Sequence, residues 1–158
     1  MAIYMKFGKI EGNATESDHK KWITLESMQW GVGRGISTPT GAATNREASA
    51  PLVSEVTITK QMDASSTGLF LESLKGAKGT EVKIDLVQTG DPNRLFTRYT
   101  LSNVLVSGYS VSTGGGQPTE SISLNFTKIE FKYIPSAEEN KQETPVTVGY
   151  DLSLAKTS

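Results

Sequence analysis

Short runs in which apolar and polar residues alternate cover most of the chain. Alternation with a period of two predicts strands that bury one face, and the many β-branched residues in these runs agree with it. The sequence therefore predicts a mainly β protein. The predicted strands lie at residues 3–7, 22–30, 52–62, 80–88 and 94–112. In residues 108–133 a glycine-rich loop joins two alternating runs, the first of which overlaps the end of the range 94–112. A last predicted strand lies in "TPVTVGYDLSL" near the C-terminus.

The same alternation predicts which side chains point inward. Met62 falls on the inward side of its strand together with Val56 and Ile58. Asp85 falls on the outward side of the next strand, beside the inward Ile84. The run from 94 to 112 is long enough for one bent strand or for two strands.

One predicted strand, "WITLESMQW", carries apolar residues on both parities. Ile23 and Leu25 lie on one side, and Met28 and Trp30 on the other. A bulge near the central Glu-Ser pair, or burial of both faces, would account for this pattern. Both tryptophans are expected to be core residues, with an interface position as the alternative.

The run after the glycine-rich loop changes its inward side halfway along. Its apolar residues alternate as far as Phe126 and resume in the opposite phase at Ile129. A bulge at Thr127 and Lys128 would bend the strand at that point. We expect one half to pack in the core and the other half to turn a corner.

One helix is predicted, in "DASSTGLFLESLKGAKG". Ser65 or Ser66 would cap its N-terminus, and the following glycines would end it. Leu69, Phe70 and Leu74 are spaced as an apolar stripe that packs on the sheet.

Two segments lack any apolar periodicity. Residues 31–51 are mostly Gly, Ser, Thr, Ala and Pro, and so long a loop is either functional or disordered until it meets a partner. Residues 136–144 form a polar connector, in which Glu138 and Glu139 are expected to be solvated. This connector and the last predicted strand together span about 136–154.

Composition narrows the classes of function. The 158 residues fit one domain, 1–158, with no cysteine and a net charge of −1. The charges are interspersed, which argues against a nucleic-acid partner. No apolar run approaches the ~18 residues of a membrane span, and the N-terminus has no cleaved signal, so we expect neither membrane insertion nor classical export.

The sequence offers little for catalysis. His19 is the only histidine and is interpreted as a solvated loop residue, because a metal site needs several converging ligands. The "TGGGQP" loop lacks the Gly-Lys-Ser/Thr ending of a phosphate-binding loop and reads as a hairpin connection. We therefore expect no enzyme activity, no metal and no cofactor, and an assembly or binding role.

Several stretches resemble, in collinear order, the haemolysin-coregulated protein family of bacterial type VI secretion systems. "IYMKFGKIEG" resembles the family's opening strand, and "WITLESMQWGVG" its second strand leading into a glycine-rich loop. "VSEVTITKQMDASSTGLFLESLKG" is similar to its strand and helix, "VLVSGYSVSTGGG" with "ESISLNFTKIEFKYIP" to its C-terminal hairpin, and "YDLSL" to its last strand.

The resemblance implies a β-barrel of two packed antiparallel sheets with one flanking helix and a long extended loop. It also implies hexameric rings that stack into the hollow inner tube of the machine. Implied partners are a trimeric spike protein of the VgrG type, the contractile sheath proteins, and effectors carried in the lumen. The protein would be cytoplasmic before firing and secreted afterwards, without a cleaved signal peptide.

The resemblance also suggests roles for particular positions. The loop that includes Arg34, Arg46 and Glu47 would reach the next ring, where these charges either pair between subunits or only confer solubility. Ser27 and Gln29 are candidates for the lumen, or are simply exposed on the polar side of their strand.

Two other functions compete with the tube. An effector-binding chaperone or adaptor ring would hold cargo without needing to stack, and would tolerate loss of the loop at 31–51. An enzyme such as a β-sandwich hydrolase would need a cluster of titratable groups around His19.

Overall fold

A computed structural model describes residues 1–41, 46–135 and 144–158. In these ranges the chain forms fourteen strands and a single helix. They are β1 (Ala2–Phe7), β2 (Ile23–Leu25), β3 (Ser27–Gln29), β4 (Val32–Gly33), β5 (Ile36–Ser37), β6 (Glu47–Ala48), β7 (Leu52–Val53), β8 (Val56–Gln61), α1 (Ser66–Lys75), β9 (Thr80–Gln88), β10 (Arg94–Ser112), β11 (Thr119–Asn125), β12 (Lys128–Tyr133), β13 (Val146–Asp151) and β14 (Lys156–Thr157).

Two antiparallel layers share the long strand β10. The first layer runs β2-β1-β9-β10-β12-β13-β14, and the second runs β10-β11-β8-β3. One bent strand therefore spans the range 94–112. It bends where Asn103 adopts a positive φ of 56° and the pairing with β9 shifts register. The predicted mainly β fold with one flanking helix is confirmed.

The chain changes layer a second time at Glu26. β2 pairs with β1 in the first layer, whereas β3 pairs with β8 in the second. Between them the amide of Glu26 donates to the carbonyl of Thr59 at 2.8 Å. This change of layer explains the apolar residues on both parities of "WITLESMQW", because its two halves face the core from different sheets.

The inward side chains of both layers form one apolar core. Two charged residues are nevertheless fully buried, and one of them, Asp85, contradicts the pattern of alternation. Asp85 is fully buried although an outward position was predicted, because the N-terminal loop covers that side of β9. Lys60 takes the fully buried inward position at the end of β8, and Met62 lies beyond the strand with 40% of its surface exposed.

The strand from 119 to 133 is interrupted where its apolar phase changes. β11 lies in the second layer and β12 in the first, so its two halves face the same core from different layers, and neither half leaves the core as was expected. Asn125 pairs with Leu105, and Lys128 pairs with Ser102. The spacing between these two pairs is the same on both strands, so no extra residue is inserted at Thr127 or Lys128. The register shifts lie on the opposite strand, β10.

The helix occupies the predicted segment, but its packing differs from the expectation. Ser65 stands at the N-cap, yet its hydroxyl donates to Asp63 and makes no capping bond to the helix. Of the predicted stripe only Leu69 is buried, while Phe70 and Leu74 are exposed.

The loop 31–51 is more regular than its composition predicted. In its described part, β4 pairs with β7 and β5 pairs with β6, and the amide of Gly35 donates to the Ser49 hydroxyl at 2.9 Å. We call residues 31–54 the arm. Near the C-terminus the last predicted strand ends at Asp151, and β14 follows it; the solvated pair Glu138 and Glu139 lies outside the described residues.

Candidate functional site

The outer side of the second layer is rich in neutral polar side chains. Apart from Glu55 at one end and the partly exposed Leu105, its exposed and half-buried side chains carry hydroxyl or amide groups, and they come from all four strands of the layer. Strand register places them in rows across the sheet. We call this surface the hydroxyl face; it consists of Ser27, Gln29, Thr57, Thr59, Gln61, Ser110, Ser112, Thr119, Ser121 and Ser123.

The two residues predicted to face a lumen, Ser27 and Gln29, both lie on the hydroxyl face. Ser27 is paired with Thr59 in the register, and their hydroxyl groups are hydrogen-bonded. At one end of the face Ser107 donates a hydrogen bond to the carboxylate of Glu55. The surface can therefore form many weak hydrogen bonds and few ion pairs.

The reverse side of the same strands holds a buried ion pair. Lys60 and Glu120 are both fully buried, and their Nζ and Oε1 atoms lie 2.5 Å apart. The ammonium group also contacts Asp63 at 3.0 Å and donates to the carbonyl of Gln61 at 2.9 Å. The Ser66 hydroxyl donates to Glu120 at 2.7 Å. This network fixes the first turn of α1 to the back of the hydroxyl face.

Tyr109 completes the network from β10, since its hydroxyl donates to Glu120. Burial and the neighbouring carboxylate raise the pKa of Tyr109 to about 12. Burial alone would raise the pKa of Glu120. The hydrogen bonds from Lys60, Tyr109 and Ser66 outweigh that effect and hold its pKa below the usual range. The carboxylate is therefore ionised at neutral pH.

Two exposed apolar surfaces lie outside the hydroxyl face. The first, which we call the ridge, is the outer side of α1, where Phe70 and Leu71 are each 48% exposed and Leu74 is 66% exposed. Patches of this kind on a soluble protein mark interaction surfaces. The ridge thus provides an apolar contact that the chain does not cover itself.

The second apolar surface is a concave groove of about 230 Å³ between the first layer and the root of the arm. Aromatic rings build its floor: Trp30 packs edge-on against Tyr99, which stacks on Phe131 at 5.0 Å. Both tryptophans are only half-buried, so neither is the plain core residue that the sequence predicted. We call this surface the groove; its walls include Val32, Pro51, Val53, Val148 and Tyr150.

The charged residues of the arm are all exposed. Arg34 lies between β4 and β5, and Arg46 directly precedes Glu47 in β6. Because the arm is a paired ribbon, Glu47 lies opposite Ser37 near its outer part. These three side chains are solvent-exposed and have no ion-pair partner among the described residues.

The structure reveals a second charged cluster that the sequence did not predict, besides the network of Lys60. His19 is only 5% exposed, in contrast to the solvated loop position expected for it. Its ring contacts Glu16 from the same loop and Asp85 from β9. The one available signal was its place beside Glu16, whereas the contact with Asp85 joins residues 66 positions apart.

The described ranges contain few groupings of side chains suited to catalysis or metal binding. No group of three or more His, Cys, Asp or Glu side chains there is arranged to hold a metal ion. In the same part of the chain, no helix has the length and apolarity needed to cross a membrane. The surfaces that stand out are therefore the hydroxyl face, the ridge, the groove and the arm.

A mainly β domain with exposed apolar surfaces is typical of proteins that bind other proteins, and comparison with known proteins identifies the family. A model described as "Type VI secretion system effector, Hcp" matches residues 4–133. The chain belongs to this Hcp family, which confirms the resemblance seen in the sequence. It is 27% identical to protein hcp1 of Pseudomonas aeruginosa over 154 residues, 95% of this chain and 94% of that protein.

Solved structures agree with the family. A type six secretion system protein superposes with a TM-score of 0.90 at 25% identity, covering 99% of each chain. Hcp1 from Salmonella typhimurium has the same fold, with a TM-score of 0.78 at 20% identity and coverage of 99% of this chain and 98% of its own. The chain is thus a secreted-type component of a type VI secretion system.

Proposed function

We propose that the chain is the subunit of the expelled inner tube of its secretion system. Six copies form a ring, rings stack into a hollow tube, and the hydroxyl face lines the lumen. The observation that carries this proposal is the hydroxyl face itself, ten neutral hydrogen-bonding side chains on the outer side of one sheet layer. A passage through which different cargo must slide favours a surface without strong charges or apolar contacts.

The ridge and the groove support closure of the ring. A ring needs a heterologous interface, in which one patch of each copy meets a different patch of the next. The described residues include an exposed apolar helix face, the ridge, and a concave apolar surface, the groove, and burying both between copies removes them from water. We assign the ridge and the groove to this interface.

The arm supports stacking of the rings. It projects as a two-stranded ribbon from the end of the hydroxyl face, and its charged residues Arg34, Arg46 and Glu47 are exposed. We propose that these charges pair with the adjacent ring. As in the family the chain resembles, the tube would fit inside a contractile sheath, carry a VgrG-type spike and hold effectors in the lumen.

Light scattering over a concentration series tests the ring. The proposal predicts a mass of six times the 17.0 kDa chain. A variant that carries Leu74→Glu on the ridge should lose this mass while Lys75→Glu, at an exposed position on the same helix, keeps it. A hexamer that persists in the Leu74→Glu variant would exclude the ridge from the interface.

A further inference from the structure

His19 is enclosed by groups from every element around it. It lies in the segment 11–22 between β1 and β2, which we call the strap. Tyr4 of β1 stacks on the imidazole with ring centroids 4.8 Å apart and an angle of 17°. Trp22, at the end of the strap, approaches the ring edge-on at 4.6 Å. These two aromatic rings hold the imidazole plane in one orientation.

Both ring nitrogens of His19 face carboxylates. Nε2 lies 2.8 Å from Oδ2 of Asp85, which is fully buried, and Nδ1 contacts Oε2 of Glu16. From β10, the guanidinium of Arg98 donates two hydrogen bonds of 2.7 Å to Asp85. Asn93, in the turn before β10, donates to Glu16. The charged groups that face His19 are thus Glu16, Asp85 and Arg98, and the phenol of Tyr4 is the remaining titratable group.

The number of donors on the ring decides whether both contacts can form. A carboxylate only accepts hydrogen bonds, a neutral imidazole donates one, and an imidazolium donates two. The hydrogen bond from His19 holds the pKa of Glu16 below its ordinary value, so this carboxylate is ionised at neutral pH. With a neutral ring, one of the two carboxylates would face a nitrogen lone pair.

We propose that His19 is a proton-operated latch for the strap. The doubly protonated ring ties Glu16 to Asp85 and closes the strap on the first layer. Loss of one proton breaks the contact with Glu16 and loosens the strap.

The strap contains backbone hydrogen bonds that report on this opening. The amide of Ala14 donates to the carbonyl of Trp22 at 3.0 Å, and the amide of Lys21 donates to the carbonyl of Ala14 at 2.8 Å. These amides are protected from exchange only while the strap is closed. Because the latch lies within one chain, it does not depend on the assembly of a ring.

Amide hydrogen exchange between about pH 5.5 and about pH 8.5, the range in which histidine titrates, tests the latch. His19 is the only histidine of the chain, so a titration in this range has few other candidates. After correction for intrinsic exchange, strap protection relative to β9 should fall roughly tenfold as pH rises, the effect of one charged hydrogen bond. His19→Gln should show low protection at every pH, and the control Lys20→Gln should follow the natural chain.

Ring-nitrogen NMR of the natural chain supplies an independent readout if His19→Gln does not fold. The latch predicts that both nitrogens carry protons while the strap is protected, and that protection falls as the ring loses a proton. Strap protection that stays constant while the ring deprotonates, or a neutral ring in the protected strap, would overturn the proposal.

Discussion

Among single residues, Lys60 and Glu120 are expected to contribute most to the stability of the fold. Removing one partner of a buried ion pair leaves an uncompensated charge, which costs about 3–5 kcal/mol. Glu120→Gln keeps the shape of the side chain but removes the fully buried carboxylate partner of Lys60 and leaves the ammonium group only its contact with the less buried Asp63. Urea unfolding of this variant should show a loss of free energy of unfolding in that range.

A double variant provides the control for this prediction. Lys60→Met with Glu120→Leu removes both fully buried charges, and such replacements are often neutral or stabilising because the desolvation cost of the pair is removed with it. We expect the double variant to recover most of the stability that Glu120→Gln loses. If Glu120→Gln cost less than about 1 kcal/mol, the pair would not hold α1 on the sheet.

The lowered pKa of Glu120 also predicts an acid sensitivity. Its native pKa lies below the ordinary value, so the native state binds its proton less readily than the unfolded state does. This contribution to stability is present above the unfolded pKa of about 4.3 and is lost as pH falls through the native pKa. Urea unfolding at a series of pH values below about 5 should show a shallower loss in the double variant than in the natural chain.

Residue by residue, the sequence predicted the apolar core better than the buried charges. Alternation places Val56 and Ile58 inside because their neighbours are polar, and the structure agrees. The same rule fails for Asp85, which lies out of phase with the buried Ile84. Lys60 is in phase with Val56 and Ile58, but its charge argues against burial. The partners of these two charged residues, Glu120 and His19, lie 60 and 66 residues away, and a local pattern carries no information on such contacts.

At the scale of elements, we predict that the ridge of one copy binds the groove of the next copy. Leu74→Glu on the ridge and Val148→Glu in the groove should each leave the chain monomeric, because a carboxylate would have to be desolvated in the contact. Each variant retains the opposite surface intact. A 1:1 mixture of the two should therefore form dimers, detected by light scattering as twice the chain mass.

The outcome of the mixture distinguishes the pairing of surfaces. Two variants that remain monomeric together would show that the ridge and the groove do not meet each other. Circular dichroism of each variant serves as the control for folding, since both positions are exposed and neither belongs to the core.

We predict that shortening the arm separates ring formation from ring stacking. Replacing residues 36–48 by an Asn-Gly turn should shorten the ribbon without disturbing β4 and β7. We expect hexamers of normal mass that no longer form tubes under the electron microscope. Tubes formed as readily as by the natural chain would exclude the arm from stacking, and normal effector retention without tubes would favour the carrier ring.

The sequence predicted the positions of helices and strands more reliably than the contacts that these elements make. The position of α1 follows from its spacing and the glycines after it, but its apolar stripe was assigned to the core. The structure buries only Leu69 from that stripe, since the first turn of the helix rests on the polar network of Lys60. The loop at 31–51 showed no periodicity because each of its strands is only two residues long.

At the scale of the whole molecule, the two sides of the second layer have different roles. Its inner side carries the buried network and supports the ridge, while its outer side is the hydroxyl face. Strand alternation makes this possible, because successive side chains of one strand serve opposite surfaces. The resemblance to a known family implied a ring and a tube in advance, whereas the hydroxyl face emerged only when register placed four strands side by side.

The size dependence of cysteine labelling tests the central claim, that the hydroxyl face lines the lumen of a ring. The chain has no cysteine, so Ser27→Cys on this face and Thr15→Cys on the exposed strap each provide a unique thiol. In the assembled protein, both should react with a small maleimide. Only Ser27→Cys should become slow with large polyethylene glycol maleimides. Equal reaction of both thiols with the largest reagent in an assembled ring would contradict the account.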